Sequence, residues 1–219
     1  MLKYNYINAE HAFRDLYAHL NEFSSVDGTG NKCVYNVGFY IHNPLDRDIE
    51  VSFRNWNKRY AEREWAWYQS EDRSVAGIKK FAPIWDTMHG GDDLVNSNYG
   101  WQLARNQQLE KCIEQLKRDP KTRQAFVSIF DGKEKDQYDY DTPCTMSIGF
   151  MIIDGELCMS VNMRSNDLWF GFCNDQYCFS KIQEYVARRL SVDVGWYYHH
   201  ATNLHLYPQH FGLDSDSQD

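Results

Sequence analysis

Cys144 closes a short polar approach, YDYDTPC, and opens an apolar run, the place where a rigid scaffold can present a thiol to a cleft. As a thiolate it would be a nucleophile. A small packed hydrophobe suits the same position, and spacing alone leaves both readings open. Further on, MRSNDLWFGFCND at 163–175 sets one arginine, two aspartates and two asparagines among aromatics, where a plain sheet-to-helix connection needs none of them. A structural polar network and a substrate-gripping site fit equally. Glu64 poses a third question: the helical spacing of Tyr60, Glu64, Trp67 and Tyr68 puts a carboxyl group on an apolar face, where it needs an ion-pair partner or a proton to manage.

The elements that must position these groups are legible in the pattern. Residues 8–23 read as a helix with Asn8 as N-cap and Ala12, Leu16, Leu20 and Phe23 on one face, stopped by DGTG at 27–30. A strand follows at 32–41, a helix at 60–70, and a third helix at about 104–118 with Leu109, Cys112, Ile113 and Leu116 on one side, ended by RDP. The strand QAFVSIFD comes next. Asp154-Gly155 joins TMSIGFMII to ELCMSVNM as a tight hairpin, so Cys144 opens a strand. The stretch 175–192 reads as a helix through Phe179, Ile182, Val186 and Leu190, with Asn174 or Asp175 at its N-cap, and 194–207 as a last strand. One α+β domain over 1–219 is the expectation, with the acidic tail at 213–219 mobile.

Composition narrows the function. The 219 residues carry a formal charge of −8, the wrong sign for gripping a nucleic-acid polymer, so any nucleotide bound is expected to be small. No apolar run approaches a membrane span and MLKYNYINAEH lacks the apolar core of a signal peptide, which points to the cytoplasm. The six cysteines form no CxxC pair, no metal-ligand spacing is present, and most are expected to be reduced core residues.

Taken together, DTPC at 141–144, NMRSND at 162–167, GFCND at 171–175 and HLY at 205–207 resemble the thymidylate synthase family in order and spacing. NSNYGW at 96–101 and VNMRSNDLWFGFCND at 161–175 are more narrowly similar to its deoxycytidylate-hydroxymethylating branch, and the likeness runs from about Asp27 to Phe211. The resemblance implies a large, mainly antiparallel sheet flanked by helices, a homodimer, and 5,10-methylenetetrahydrofolate as co-substrate with no metal. It makes Cys144 the thiolate that adds to C6 of a pyrimidine, so that C5 becomes nucleophilic towards the folate one-carbon unit. Glu64 falls where the family organises water and moves protons, and Tyr99 where it assists loss of the C5 proton. Arg164 and Ser165 fall on the phosphate side, His205 and Tyr207 reach the sugar 3′-hydroxyl, and Arg123 crosses to the partner's site. Trp85, Asp167 and Gly171 lie against folate.

Asp175 decides the base. The matching residue in ordinary thymidylate synthases is Asn, which suits uracil. A carboxyl group here can accept from the 4-amino group of cytosine and share a proton with N3, while presenting a charged oxygen to O4 of uracil. The resemblance therefore implies a cytosine nucleotide, dCMP, hydroxymethylated at C5, with reductive methylation or CMP as alternatives. A relative that had lost catalysis would lack the thiol or its acid–base partner, and both are present. The sequence departs from the family at Gly28 and Gln124, which replace basic phosphate ligands for which Lys32 is a candidate stand-in, and at Thr145 and Gly149. It also ends soon after HLYPQHF without the apolar segment that closes over folate, which favours water over hydride as the final acceptor.

Overall fold

The computed structural model describes residues 4–133 and 138–214. In chain order the strands are β1 (Asn5–Tyr6), β2 (Lys32–Ile41), β3 (Phe126–Ser128), β4 (Thr145–Ile153), β5 (Glu156–Met163), β6 (Asn166–Asp167) and β7 (Asp193–Leu206). The helices are α1 (Ala9–Phe23), α2 (Lys58–Gln69), α3 (Tyr99–Ala104), α4 (Gln108–Arg118) and α5 (Cys173–Leu190).

The strands form one sheet in the order β1-β2-β7-β5-β4-β3, with β6 beside β7. It is mixed: β1–β2, β5–β7 and β6–β7 are parallel and the other pairings antiparallel, and the antiparallel ladders carry most of the paired residues, so the sheet is mainly antiparallel as expected. The parallel β5–β7 pairing follows from the intervening α5, a crossover of the length that parallel neighbours require. Its Gln183, fully buried, donates to the carbonyls of Leu157 and Gly195 and ties the helix to both strands.

Several elements form where the pattern put them. The Asn8 side chain accepts from His11 N–H and starts α1, which buries Phe13, Leu16, Tyr17 and Leu20. Asp154 and Gly155 both take positive φ, 52° and 86°, as a two-residue hairpin turn requires. Two expectations fail. The helix at 104–118 is broken, because Asn106 and Gln107 both adopt left-handed backbone angles between α3 and α4. The start of α5 also lies elsewhere: a π-turn at Leu168–Phe172 precedes it, and Asp167 caps that turn by accepting from the N–H groups of Trp169, Phe170 and Gly171. Asp175 is therefore inside a helix and caps nothing.

The tail is anchored further than expected. Leu213 packs on the core and its N–H donates to the Tyr17 hydroxyl, while the rest of the expected mobile tail, 215–219, lies outside the described residues. Among those described, all six cysteines are free, and only Cys144 is not buried. Among the described residues, no helix is long and apolar enough to cross a membrane.

Candidate active site

Register brings the catalytic candidates together at one end of the sheet. Thr145, first in β4, pairs with Met163, last in β5, so Cys144 and Arg164 become neighbours and Arg164 N–H donates to the Cys144 carbonyl at 2.8 Å. A register shift between Thr145 and Ser147 follows at once, the kind of bulge that re-aims a side chain beside a site. β6 lies parallel to the end of β7, which sets Asp167 opposite His205.

The thiol sits under the guanidinium. Arg164 donates to the carbonyls of Pro143 and Thr142 at 3.0 and 2.7 Å, which aims its Nη2 at Cys144 Sγ, 3.8 Å away. Burial nevertheless pushes the thiol up to about 11, against the pull of Arg164, and the carboxyls of Asp175, Asp141 and Asp167 push the same way. Asp141, in the DTPC motif, holds the loop before the thiol. Its carboxylate accepts from Asn96 N–H, Ser97 N–H and the Ser97 hydroxyl, which pins this loop to the NSNYG segment. That segment delivers Tyr99, whose buried hydroxyl accepts from Thr145 N–H at 3.2 Å, one residue from the thiol.

Glu64 lies on the buried face of α2, only 5% exposed, as its spacing required. Burial first, and the Asp175 charge second, push its carboxyl up to about 8. Tyr68 donates to Oε1 at 3.5 Å, whereas Oε2 is buried without a protein partner, which leaves one oxygen for a substrate or a proton. Trp85 joins this group indirectly: its indole N–H donates to the Tyr60 hydroxyl at 2.9 Å, and that hydroxyl lies against Glu64. The helix carrying Glu64 can approach α3 closely because Gly100 has no side chain; a Cβ there would stand 1.7 Å from the Tyr68 carbonyl oxygen.

Asp175 projects from the first turn of α5, partly open to the cleft, and its Oδ2 accepts from Asn166 Nδ2 at 2.8 Å. Burial pushes it up to about 7 in spite of that donor. Gly171 makes room for this pair, since a Cβ would meet Asn166 Nδ2 at 2.9 Å and Asp175 Oδ2 at 3.4 Å. His205 and Tyr207 stand together, rings edge to face at 5.1 Å, with Asp167 nearby. Ser165 is half-buried between Arg164 and Asn166.

Other candidates are not brought here. Arg123 is exposed beside the edge strand β3, with no partner among the described residues. Lys32 is engaged: its ammonium donates to the Asn21 carbonyl and side-chain oxygens at 2.7 and 3.3 Å and lies over the Phe211 ring. Gln124 accepts from Gln115, and Gly28 sits in a turn held by Asp27. Asp86, His89 and Asp93 bring ligand atoms within 4.8 Å of one another. The Lys79 ammonium already bridges the two carboxylates at 2.8 and 3.3 Å, and His89 Nδ1 accepts from Gly91 and Asp93 N–H, so the cluster reads as a brace for the loop of Trp85.

The thymidylate synthase family model matches residues 21–215. The chain belongs to this family. Its members bind a pyrimidine nucleotide and use methylenetetrahydrofolate as co-substrate, so the protein is a one-carbon transferase by descent. A deoxycytidylate 5-hydroxymethyltransferase of Enterobacteria phage T4 is 31% identical over 212 residues, covering 86% of this chain and 81% of the relative. A deoxyuridylate hydroxymethyltransferase of Bacillus phage SP01 is also 31% identical, over 78% of this chain and 49% of the relative. The thermostable thymidylate synthase A of Bacillus subtilis shares the fold, with a TM-score of 0.76 at 19% identity over 93% of this chain and 81% of that one.

Within this thymidylate synthase fold, sequence reasoning left Tyr60, Tyr68, Asp141, Asn166 and His199 without a role. Asp141 and Asn166 lay inside quoted motifs, and their polar type among apolar neighbours was the available signal. His199 lay in an alternating strand and gave none. The two raised carboxyls also have a consequence for stability. Asp175 and Glu64 start from 3.8 and 4.5 and rise to about 7 and about 8, so the folded chain holds their protons more tightly than the unfolded one. Their stabilisation is complete below the lower values and is lost as pH climbs through the higher ones. His199, His205 and His210, each lowered by burial, add stability as pH rises to about 6.5, so the carboxyl contribution is read by difference: relative to wild type, Asp175→Asn is expected to gain on the order of 3 kcal/mol in denaturant unfolding between about pH 5 and pH 7. A stability difference between the two proteins that stays constant across that window would contradict the assignment.

Proposed function

We propose that the protein hydroxymethylates C5 of a cytosine nucleotide, dCMP to 5-hydroxymethyl-dCMP, with water as the final acceptor. The observation that carries this reading is Asp175: a carboxyl group pushed up to about 7, one oxygen occupied by Asn166, at the motif position that reads the base. Near neutral pH such a group carries its proton part of the time. Protonated, it donates to N3 of cytosine and accepts from the 4-amino group, drawing electrons from the ring and easing attack at C6. Uracil, with N3–H and O4, offers the reverse polarity.

Cys144 adds to C6 under the Arg164 guanidinium, which favours the thiolate. Arg164 and Ser165 take the 5′-phosphate, His205 and Tyr207 the 3′-hydroxyl, and Tyr99 assists loss of the C5 proton beside the thiol. The one-carbon group is supplied by methylenetetrahydrofolate when it is bound. Residues fit for holding it are Trp85 with its exposed neighbours Phe81 and Ile84, and Asp167 and Gly171 with exposed Phe170. Glu64, with one oxygen unpartnered, holds the water that attacks the exocyclic methylene and takes its proton. The names of the T4 and SP01 relatives support hydroxymethylation over methylation, and the carboxyl at 175 supports cytosine over uracil.

A second copy completes the site in this reading. Tyr40, Trp196 and Tyr198 form a half-buried aromatic row on the sheet face opposite the inward-pointing Phe39 and Tyr197, an apolar surface suited to a homodimer. Across it, the partner chain's copy of Arg123 would help hold the phosphate. Calorimetric titration of the folate-free protein should give a dissociation constant for dCMP at least tenfold below that for dUMP. Equal affinities would sink the assignment of Asp175 as base reader.

A further inference from the structure

Behind Asp175 runs a line of polar groups in the core. The Tyr197 hydroxyl lies 2.7 Å from His199 Nδ1, His199 Nε2 lies 3.0 Å from Asn166 Oδ1, and Asn166 Nδ2 lies 2.8 Å from Asp175 Oδ2. Tyr197 and His199 are fully buried and Asn166 is 2% exposed. The imidazole is boxed by aromatics, stacked on Phe39 at 5.3 Å and met edge-on by Phe172 at 5.3 Å. An apolar box of this kind keeps it neutral, so each ring nitrogen has one role, donor or acceptor.

Which way the donors point is settled at the far end. The Tyr197 O–H has one acceptor among the described residues, His199 Nδ1. If Nδ1 carried a proton, the tyrosine hydrogen would be buried without an acceptor, which is costly. Nδ1 therefore accepts and Nε2–H donates. Asn166 must then turn its carbonyl oxygen to His199 and its amide to Asp175, and Oδ2 of Asp175 must present a lone pair.

We propose that Tyr197, His199 and Asn166 form a one-way hydrogen-bond chain that confines the proton of Asp175 to Oδ1, which makes His199 a specificity-determining positioning residue. The proposal rests on the reading of Asp175 as the base reader. With the proton on Oδ1 and a second lone pair left on Oδ2, the carboxyl matches N3 and the 4-amino group of cytosine at once. Without the chain Asn166 is free to flip, Oδ2 takes the proton to face the asparagine oxygen, and the bare Oδ1 repels N3.

Other ionisable groups facing Asp175 do not set this choice. Glu64 and Tyr68 approach from α2, Tyr99 from α3, Cys144 from the start of β4 and Asp167 from β6. Cys173 and Cys178 share its helix. No hydrogen bond to either Asp175 oxygen comes from any of them, so they act on its overall proton affinity and leave the position of the proton to Asn166.

The test pairs a direct reading of the chain with its effect on selectivity. Nitrogen-15 spectra of the histidine rings in the wild-type protein should show His199 as the neutral Nε2–H tautomer, unchanged from about pH 5 to pH 9. A Nδ1–H tautomer or a titrating ring overturns the proposal, even if no variant folds. His199→Phe should lower the dCMP/dUMP ratio of kcat/KM roughly tenfold and move the pH limb assigned to Asp175 upward, because the donor that favours its charged form is lost. His199→Gln, which keeps an N–H for Asn166, should restore most of both. If wild type prefers dCMP and His199→Phe changes neither ratio nor limb, the chain does not place the proton. If wild type itself shows no preference for dCMP, the reading of Asp175 is what fails, while the nitrogen spectra still decide the direction of the chain.

Discussion

Cys144→Ala should abolish exchange of the C5 hydrogen of dCMP with solvent, a loss of about a thousandfold or more, while the protein remains folded and still binds nucleotide. The reason is geometric. C5 becomes exchangeable only when a nucleophile is attached at C6, and among the described cysteines Cys144 is the only one that is not buried. Cys173 and Cys178, nearby on α5, are inert by burial, which holds both thiols above their ordinary range even though Arg54 pulls the first down and Arg47 and Lys181 the second. The thousandfold loss is a kinetic one, since the alanine removes a partly buried side chain with no hydrogen bond of its own to leave orphaned other than the long one from Arg164. Hydrogen exchange read by deuterium incorporation into dCMP checks this, and persistence of exchange would rule out the C6 adduct.

Asp175→Asn is the second large effect, and it should shift selectivity towards dUMP. An asparagine at 175 can turn its carbonyl oxygen to N3–H and its NH2 to O4 of uracil, giving up the bond from the Asn166 amide that Oδ2 of Asp175 accepts. The base that the aspartate repels then becomes readable, and in that orientation the NH2 opposes the 4-amino group of cytosine. The dUMP/dCMP ratio of kcat/KM is expected to rise on the order of 10²- to 10⁴-fold, the range available when a site's polar groups are mispaired with a substrate. Glu64 should respond too. Losing the Asp175 charge removes one of the two causes that hold its carboxyl high, so the pH limb belonging to Glu64 should move down. A ratio unchanged within a few-fold would mean that the base is read elsewhere.

The sequence placed one end of this candidate site well. Cys144, Arg164 and Asp175 lie in motifs, and the helix that delivers Glu64 has clear periodicity, so local pattern was enough to locate them. What it missed depends on contacts distant in the chain. The break between α3 and α4 comes from two consecutive left-handed residues, Asn106 and Gln107, neither of them glycine, so no local composition announced it. Asp175 looked like a cap because it precedes an apolar helical run. The true cap is Asp167, whose carboxylate collects three N–H groups of a π-turn that no periodicity encodes. His199 belongs to an alternating strand in which any inward residue reads as core, and only the pairing of β7 with β5 and the approach of β6 reveal that it faces Asn166. Lys32 showed the opposite failure: a cation near the right place in sequence proved to be spent on Asn21.

In the proposed dimer, the partner subunit would supply what remains of the phosphate grip. Arg164 spends Nε and one Nη2 contact on the carbonyls that aim it at the thiol, so its free edge is the part left for an anion. With Gly28 and Gln124 where the family has basic groups, Arg123 of the second copy becomes the natural additional cation in the proposed dimer.

The central claim, a cytosine nucleotide hydroxymethylated at C5, is tested most directly by the mass of the product. Purified protein is incubated with methylenetetrahydrofolate and, in separate reactions, dCMP, CMP and dUMP, and the nucleotides are weighed by mass spectrometry. The account predicts a gain of CH2O on dCMP with dUMP nearly untouched. A gain of CH2 on dCMP, or turnover of dUMP in preference to dCMP, would contradict it.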